Sequence, residues 1–245
     1  MSEKELEQLH KLLINSKHTM ALTGAGISKA SGIPPFRGSD GIWNKYDPML
    51  LDLNYFLEDP AASWQFMADT FFQFFHKAEP NPAHVALSQM EKKGLLQGII
   101  TQNIDTLHQR SGSTIVMEFH GGLDRAVCLS CKLRIPFEKD ILKVIPPLCP
   151  DCGKLLKPDI VFFSEAIPQN ILYQVDEEIR KTELLLVIGT SAEVYPASFI
   201  PSNARQFGAE IVEINPMRTS LTDSVSDLFI AGKAEDVLPE LARKL

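Results

Sequence analysis

The chain has 245 residues, 44% of them apolar, enough for one large domain or for a domain with a small satellite around a packed core. A formal charge of −7 argues against the broad phosphate-neutralising face of a nucleic-acid binder, and no run of eighteen apolar residues is present to span a membrane. The start, MSEKELEQLHKLL, is charged and helical where a secretory signal is basic and then apolar, so a soluble, cytoplasmic protein is expected.

In chain order, Leu6, Leu9, Leu12 and Leu13 recur at three- and four-residue steps and predict an amphipathic helix over 3–15. Five apolar runs read as strands: His18 to Leu22, Gly98 to Thr101, Ile115 to Phe119, Leu184 to Ile188 and Ile211 to Ile214. Most lack alternation, the pattern of parallel strands buried on both faces. Helices fall between several of them. Pro82 to Lys93 stops at Gly94 and Ala197 to Phe207 stops at Gly208, glycine being the expected residue just past a last turn. This alternation predicts an α/β fold with a Rossmann-like doubly wound parallel sheet, whose ligands sit outside the carboxyl ends of the strands.

Two stretches interrupt the alternation. Pro48 to Glu79 is aromatic, with Trp64, Phe66, Phe71, Phe72, Phe74 and Phe75 in one helical stretch, and Gly121 to Lys157 carries all four cysteines. Together they predict a smaller helical and zinc-ribbon lobe. The expected division is 1–47, 80–120 and 158–245 for a discontinuous nucleotide-binding domain, with 48–79 and 121–157 for the small lobe.

Cys128, Cys131, Cys149 and Cys152 form two Cys-x-x-Cys pairs separated by seventeen residues, the spacing of a four-thiolate zinc ribbon. The competing reading is two disulfides, disfavoured by the missing export signal. Four thiolates close the coordination sphere, so the metal is expected to be structural and the chemistry to lie elsewhere.

That leaves the loops after the strands. Gly24-Ala25-Gly26-Ile27-Ser28 offers a close backbone approach and amide donors to a pyrophosphate, although Gly-x-Gly with Lys29 at the third glycine's position is as often a tight turn. Arg37 adds a cation suited to phosphate, or a surface ion pair. Gln102, Asn103 and Asp105 surround Ile104 after the second strand; they can read an amide and a polar ring, or cap the next helix. His120 closes the third strand directly before Gly121-Gly122, the best placed of six histidines for a general base, against the ordinary role of a satisfied structural histidine. Gly189-Thr190-Ser191 and Asn215-Pro216 end the later strands and suit ribose or phosphate oxygens, as they would suit plain turns.

Assembled, these residues closely resemble the sirtuins of bacterial or archaeal type, NAD-dependent protein-lysine deacylases. The resemblance is carried by Gly24 to Ser28, Gly32-Ile33-Pro34 with Phe36-Arg37-Gly38, Thr101 to Asp105, His120-Gly121, the four cysteines, Val161-Phe162-Phe163 with Glu165, Gly189-Thr190-Ser191 and Asn215-Pro216, in family order from residue 18 to about 240. It implies NAD as co-substrate and a structural zinc ion. By carry-over, Gly24, Ala25, Gly26, Ser28, Phe36 and Arg37 line the cofactor loop, and Gln102, Asn103, Ile104 and Asp105 face the nicotinamide and its ribose, with Asp105 on the carboxamide. Gly189, Thr190, Ser191, Asn215 and Ala234 contact the adenosine half. Val161, Phe162 and Phe163, with Glu165, pair with an acyl-lysine peptide as an added strand. The implied reaction has His120, Asn103 and Asp105 as its catalytic group: the acyl oxygen displaces nicotinamide from its ribose carbon, His120 acts as base on the ribose hydroxyls so that one attacks the imidate carbon, and water finally releases lysine and O-acyl-ADP-ribose.

Three positions depart from the family pattern: Pro35 stands for Asp or Thr, Gly122 for Asn and Ser164 for Gly. The Tyr-x-x-Arg pair of members that remove succinyl or malonyl groups is missing from SWQFMADTFFQFF, so acetyl or a longer aliphatic acyl group is expected. Mono-ADP-ribosyl transfer and a non-catalytic NAD sensor are the rival readings.

Overall fold

A computed structural model describes residues 2–36, 41–75 and 77–245. Its elements run α1 (Glu3–Asn15), β1 (Thr19–Thr23), α2 (Leu53–Glu58), α3 (Pro60–Phe66), α4 (Phe72–Phe75), α5 (Pro82–Lys92), β2 (Gly98–Thr101), α6 (Leu107–Arg110), β3 (Val116–Glu118), β4 (Gly121–Cys128), β5 (Arg134–Pro136), β6 (Leu156–Ile160), α7 (Gln169–Ile179), β7 (Leu184–Ile188), α8 (Ile200–Gln206), β8 (Glu210–Asn215), β9 (Leu228–Ala231) and α9 (Ala234–Lys244).

Six strands form one parallel sheet in the order β3-β2-β1-β7-β8-β9. The chain winds outward from β1 to β3, returns to lay β7 beside β1, and winds outward the other way. The crevice at that reversal is where a doubly wound sheet binds its ligand. All five expected strands are present, with some ends shifted by one residue. The sixth, β9, escapes the sequence pattern because it is a four-residue edge following a polar loop.

Every residue of β1 and β7 is buried, and the two-residue period sorts their side chains onto opposite cores. Ala21 and Leu186 meet Leu9 and Leu13 of α1, Leu87 and Met90 of α5, and Leu238 and Leu241 of α9. Leu22, Leu185 and Val187 meet Val175 and Ile179 of α7 and Ile200 and Ala204 of α8. Each buried leucine contributes about 2 kcal/mol. A Ser2–Glu5 capping box starts α1. Gly94 and Gly208 stand at φ +73° and +99°, as helix stops require.

A second, antiparallel sheet has the order β5-β4-β6. Its core is aromatic: Phe56, Trp64, Phe66 and Phe71 pack with Leu123, Phe137 and Phe162. The aromatic segment is less uniform than one helix. Asp59 caps α3, with Pro60 in its first turn, and a wide π turn at Met67–Phe71 separates α3 from α4. The Trp64 indole N–H donates to the Leu156 carbonyl at 2.9 Å, fastening these helices to β6. Among the described residues, no helix is long and apolar enough to cross a membrane.

Candidate active site

In the large sheet the paired ends lie level: Thr23 is opposite both Thr101 and Ile188, Thr101 opposite Glu118, and Ile188 opposite Ile214. The predicted loops therefore open on one edge. Gly24 and Gly26 earn their place by close packing. A Cβ on Gly24 would lie 2.6 Å from Thr190 Cβ, and one on Gly26 2.7 Å from the backbone of Gly189. Gly189 itself sits at φ +61°. Contrary to the expectation that both glycines offer amides to a phosphate, the Gly24 N–H donates to Ile188 O at 3.1 Å and the Gly26 N–H to Gly189 O at 2.8 Å. Of these three amides, that of half-exposed Ala25 is not drawn into the contact.

Beyond the turn, the Pro35 carbonyl accepts from Ile42 N and the Phe36 carbonyl from Trp43 N. Phe36 is half-buried against Trp43 and Phe71, at centroid distances of 5.6 and 6.0 Å. Arg37 lies outside the described residues.

The loop after β2 is tied to the loop after β1. Asn103, 5% exposed, donates from Nδ2 to Gly24 O and Ser28 Oγ, both at 3.1 Å. Ser28 Oγ donates to Asp105 Oδ2 at 2.6 Å. The other Asp105 oxygen accepts the Leu107 N–H at 3.0 Å, so this residue both starts α6 and joins the site. Burial pushes its carboxyl pKa up, against the pull of Ser28 and Leu107. Ile104 is buried in the aromatic core.

Beneath this loop lies a buried histidine pair that sequence reasoning missed. His84 and His108 meet edge to face at 4.9 Å, His108 Nε2 lies 2.9 Å from Thr23 Oγ1, and His84 Nε2 lies 3.5 Å from Ser28 Oγ. Burial pulls His84 down to about 4 and His108 well below the usual histidine range, so both are neutral at pH 7. The available signal was Asn81-Pro82 with His84 three residues after the asparagine, which is a capping box in the structure.

His120 stands at the seam of the two sheets. Its Nδ1 lies 3.0 Å from the Gln102 carbonyl. Because a carbonyl only accepts, Nδ1 carries the proton and Nε2 keeps its lone pair. Burial lowers the His120 pKa while the Gln102 bond raises it, and the net shift is downward. The ring is therefore a neutral base. Gln102 also donates to Thr190 Oγ1 at 3.0 Å, so one residue connects the loops after β2, β3 and β7. Half-buried Ser191 follows Thr190.

Asn215 donates from Nδ2 to Thr190 O and to Glu213 Oε1, both at 3.0 Å. Glu213, fully buried, also accepts from Thr219, Thr222 and Ser226, fixing the loop after β8. Ala234 is buried at the first turn of α9, just after β9.

The segment after β6 joins the same opening. The Val161 N–H donates to His120 O at 2.8 Å. Phe162 is buried, edge to face with Phe56 at 5.3 Å. Phe163 bridges to the small lobe: its N–H donates to Leu51 O at 2.8 Å and its carbonyl accepts from Leu53 N at 3.0 Å. These two groups, expected to meet a peptide, are committed within the chain. Ser164, where the family pattern has glycine, takes φ +63° and donates to Asp52 Oδ2 at 2.5 Å. Gly122 faces a group of charged side-chain ends. A Cβ there would lie 2.9 Å from Arg125 Nη1, Asp124 Oδ1 and Glu118 Oε1, the ion cluster through which Arg125 also reaches Asp159.

The four cysteine sulfurs all lie within 4.8 Å of one another. The contacts Cys128–Cys152, Cys131–Cys149 and Cys131–Cys152 are 3.5 to 3.6 Å. A tetrahedron with zinc–sulfur bonds of about 2.3 Å has edges of about 3.8 Å, so the donor set fits a structural zinc ion. Burial acts to raise the Cys128 thiol pKa, but N–H donors from Cys131 and Ser130 contribute to lowering it, whereas burial and bonds among the crowded sulfurs contribute to raising Cys131 and Cys152, so the thiols titrate as one coupled set.

Comparison with known proteins bears on the whole arrangement. The Sir2 family model matches residues 24–196. An NAD-dependent protein deacylase 2 from Pyrobaculum aerophilum is 43% identical over 235 residues, covering 96% of this chain and 93% of its own. A protein of the same description from Archaeoglobus fulgidus is 41% identical, covering 99% and 97%. Among solved structures, a Sir2 homologue in complex with NAD superposes with a TM-score of 0.89 at 42% identity, covering 97% of this chain and 93% of that one. A Sir2 complex with a p53 peptide and NAD+ gives 0.87 at 36% identity, covering 98% and 96%. Because the match runs through the cysteine-bearing lobe as well as the nucleotide-binding sheet, more than a common nucleotide fold is shared: the chain belongs to the Sir2 family, the sirtuins.

Proposed function

We propose that this chain is an NAD-dependent protein-lysine deacylase, most simply a deacetylase, which moves the acyl group from lysine to ADP-ribose and releases nicotinamide. The observation that carries the reading is His120: a neutral imidazole whose Nδ1–H is fixed on Gln102 O, leaving Nε2 as acceptor at the carboxyl end of β3. NAD would lie across the β1/β7 reversal, its pyrophosphate near Gly24, Ala25, Gly26, Phe36 and Arg37, and its adenosine half near Gly189, Thr190, Ser191, Asn215 and Ala234. Ser28, Gln102, Asn103, Ile104 and Asp105 would surround the nicotinamide ribose. Asn103 and Asp105 are held for that role through Ser28. His120 Nε2 would then take a proton from a ribose hydroxyl.

The peptide reading rests on the exposed edge from Val161 to Glu165. With the N–H groups of Val161, Phe162, Phe163 and Glu165 and the carbonyls of Phe162 and Phe163 taken within the chain, the backbone left for an acyl-lysine peptide is the Ser164 N–H and the carbonyls of Val161, Ser164 and Glu165. The two lobes would divide as residues 1–47, 80–120 and 158–245 against 48–79 and 121–157.

A hollow of about 320 Å³ is lined by the apolar residues Phe72, Phe75, Ile104, Leu123 and Phe137 and by the polar residues Asp105, Thr106 and Asp124. The apolar part of this lining suits an aliphatic acyl chain, and Asp124 opposes an acidic one. Arg110 also lines the hollow, but its guanidinium is spent on Ala78 O and Glu79, which favours acetyl and longer aliphatic groups over succinyl.

Nicotinamide release and product mass on acetyl, crotonyl, myristoyl and succinyl peptides test the reading. O-acyl-ADP-ribose formed one for one with nicotinamide is the expected result. An ADP-ribosylated protein would instead indicate mono-ADP-ribosyl transfer, and NAD binding without nicotinamide release a sensor. Preferential desuccinylation would refute the acyl assignment alone.

A further inference from the structure

Lys157, in β6, is the one buried lysine among the described residues, at 2% exposure. An ammonium in such a place is costly unless its donors are met. Here Nζ has three acceptors: Pro158 O at 3.1 Å, Ile160 O, and Glu165 Oε2 at 2.9 Å. It also lies 4.3 Å from the centroid of the Phe162 ring, within cation–π range. Burial pulls its pKa down, while Glu165 and Asp159 pull it up.

These acceptors all belong to one short stretch of chain. The Glu165 oxygen that takes Lys157 also takes the Phe162 N–H at 2.9 Å, and the Glu165 N–H returns to Phe162 O at 3.1 Å. Residues 158–165 are thus folded around a single charge. Their leading residue, Val161, is bonded in turn to the backbone of His120.

We propose that Lys157 is a positioning residue for the acyl-peptide: by gathering Pro158 O, Ile160 O and Glu165 it sets the backbone of Val161–Glu165 in the shape that a peptide strand meets. The inference rests on the reading of that segment as the peptide edge. An apolar side chain of similar length fills the same space but leaves two carbonyls without this donor and Glu165 with only the Phe162 N–H. The edge then loses its preset form, and a peptide must order it on binding.

The test compares wild type, Lys157→Met, Lys157→Arg and Lys157→Gln for nicotinamide release, with acetyl-peptide and NAD varied in turn. Lys157→Met is expected to raise the peptide KM roughly ten- to hundredfold, the equivalent of losing a hydrogen-bonded charge, with kcat and the NAD KM within about twofold of wild type. Lys157→Arg keeps the charge and its donors and returns the peptide KM to within a few-fold. An unchanged peptide KM, or kcat and NAD KM falling in step with it, overturns the proposal, as does failure of Lys157→Arg to restore binding. If Lys157→Met does not fold, Lys157→Gln is judged by the same criteria. Amide exchange separates this inference from the functional reading. Should the wild-type chain release no nicotinamide with any acyl-peptide, the functional reading fails while exchange still decides on Lys157. Faster exchange confined to 161–165 in Lys157→Met supports the anchor; unchanged exchange, or a rise across the whole chain, overturns it.

Discussion

The two sheets are stabilised by different means. β1 and β7 are wholly buried between helices on two faces, whereas β5 is exposed at Arg134 and Pro136, and its small sheet relies on one aromatic core and a cluster of four thiols. The first region is built on extensive apolar burial, which needs no ligand. The second couples its order to a metal, because structural zinc sites contribute folding free energy directly.

Metal removal sharpens that contrast most. Chelation, or Cys128→Ser with Cys149→Ser, is expected to forfeit on the order of 10 kcal/mol of binding free energy. Amide exchange should then rise across β4 to β6 while β7 stays protected. Simultaneous loss of protection in both sheets would break the comparison by making them one cooperative unit.

The seam comes next. His120→Ala is expected to cut product formation by roughly 10²- to 10⁴-fold, the usual worth of a general base, with NAD affinity by calorimetry retained. Because burial lowers the His120 pKa, the acid limb of kcat/KM should lie below the ordinary histidine value of about 6.5. A limb above that value would contradict the neutral base.

Acid sensitivity of stability is expected in the large region, where the paired buried histidines lie. The unfolded chain binds a proton on His84 near pH 6.5, but the folded chain does so only near 4. Stability is therefore full above pH 6.5 and falls as pH drops toward 4, by on the order of 3 kcal/mol for His84 alone. His108 acts in the same direction, and Asp105, raised by burial, opposes them. Urea midpoints at pH 7.5 and 4.5 measure the slope, which His84→Gln should flatten.

The smallest effect is expected where the two regions touch through Ser164. Glycine relieves the left-handed φ, which costs roughly 1 kcal/mol for a side chain, but removes the exposed hydroxyl bond to Asp52, so two small contributions oppose each other. Ser164→Gly should leave the thermal midpoint nearly unmoved; a large shift either way would show that one of the two contributions dominates.

How much of this was legible in the sequence depended on the kind of order involved. Apolar runs announced β1, β2, β7 and β8 because strands buried on both faces leave an uninterrupted signature, and two Cys-x-x-Cys pairs announced the metal cluster through spacing alone. Leu228 to Ala231 and the strands of the small sheet carried no such run. The donor assignment to Gly24 and Gly26 failed because which carbonyl takes an amide is settled by the chain crossing at Gly189, 163 residues beyond Gly26. Lys157 and the His84–His108 pair look like ordinary surface residues until tertiary packing buries them. Local patterns report periodicity and spacing; they do not report which polar groups will meet.

Gly122 carries a lesson about exchanging residues among relatives. Installing the family's asparagine there would drive a side chain into the space held by Arg125, Asp124 and Glu118. All three are the far ends of flexible side chains, so the asparagine is accommodated once they turn aside, and what is given up is the present arrangement of the ion cluster. The substitutions at 122 and 125 are therefore expected to couple, with the asparagine costing less once Arg125 is replaced.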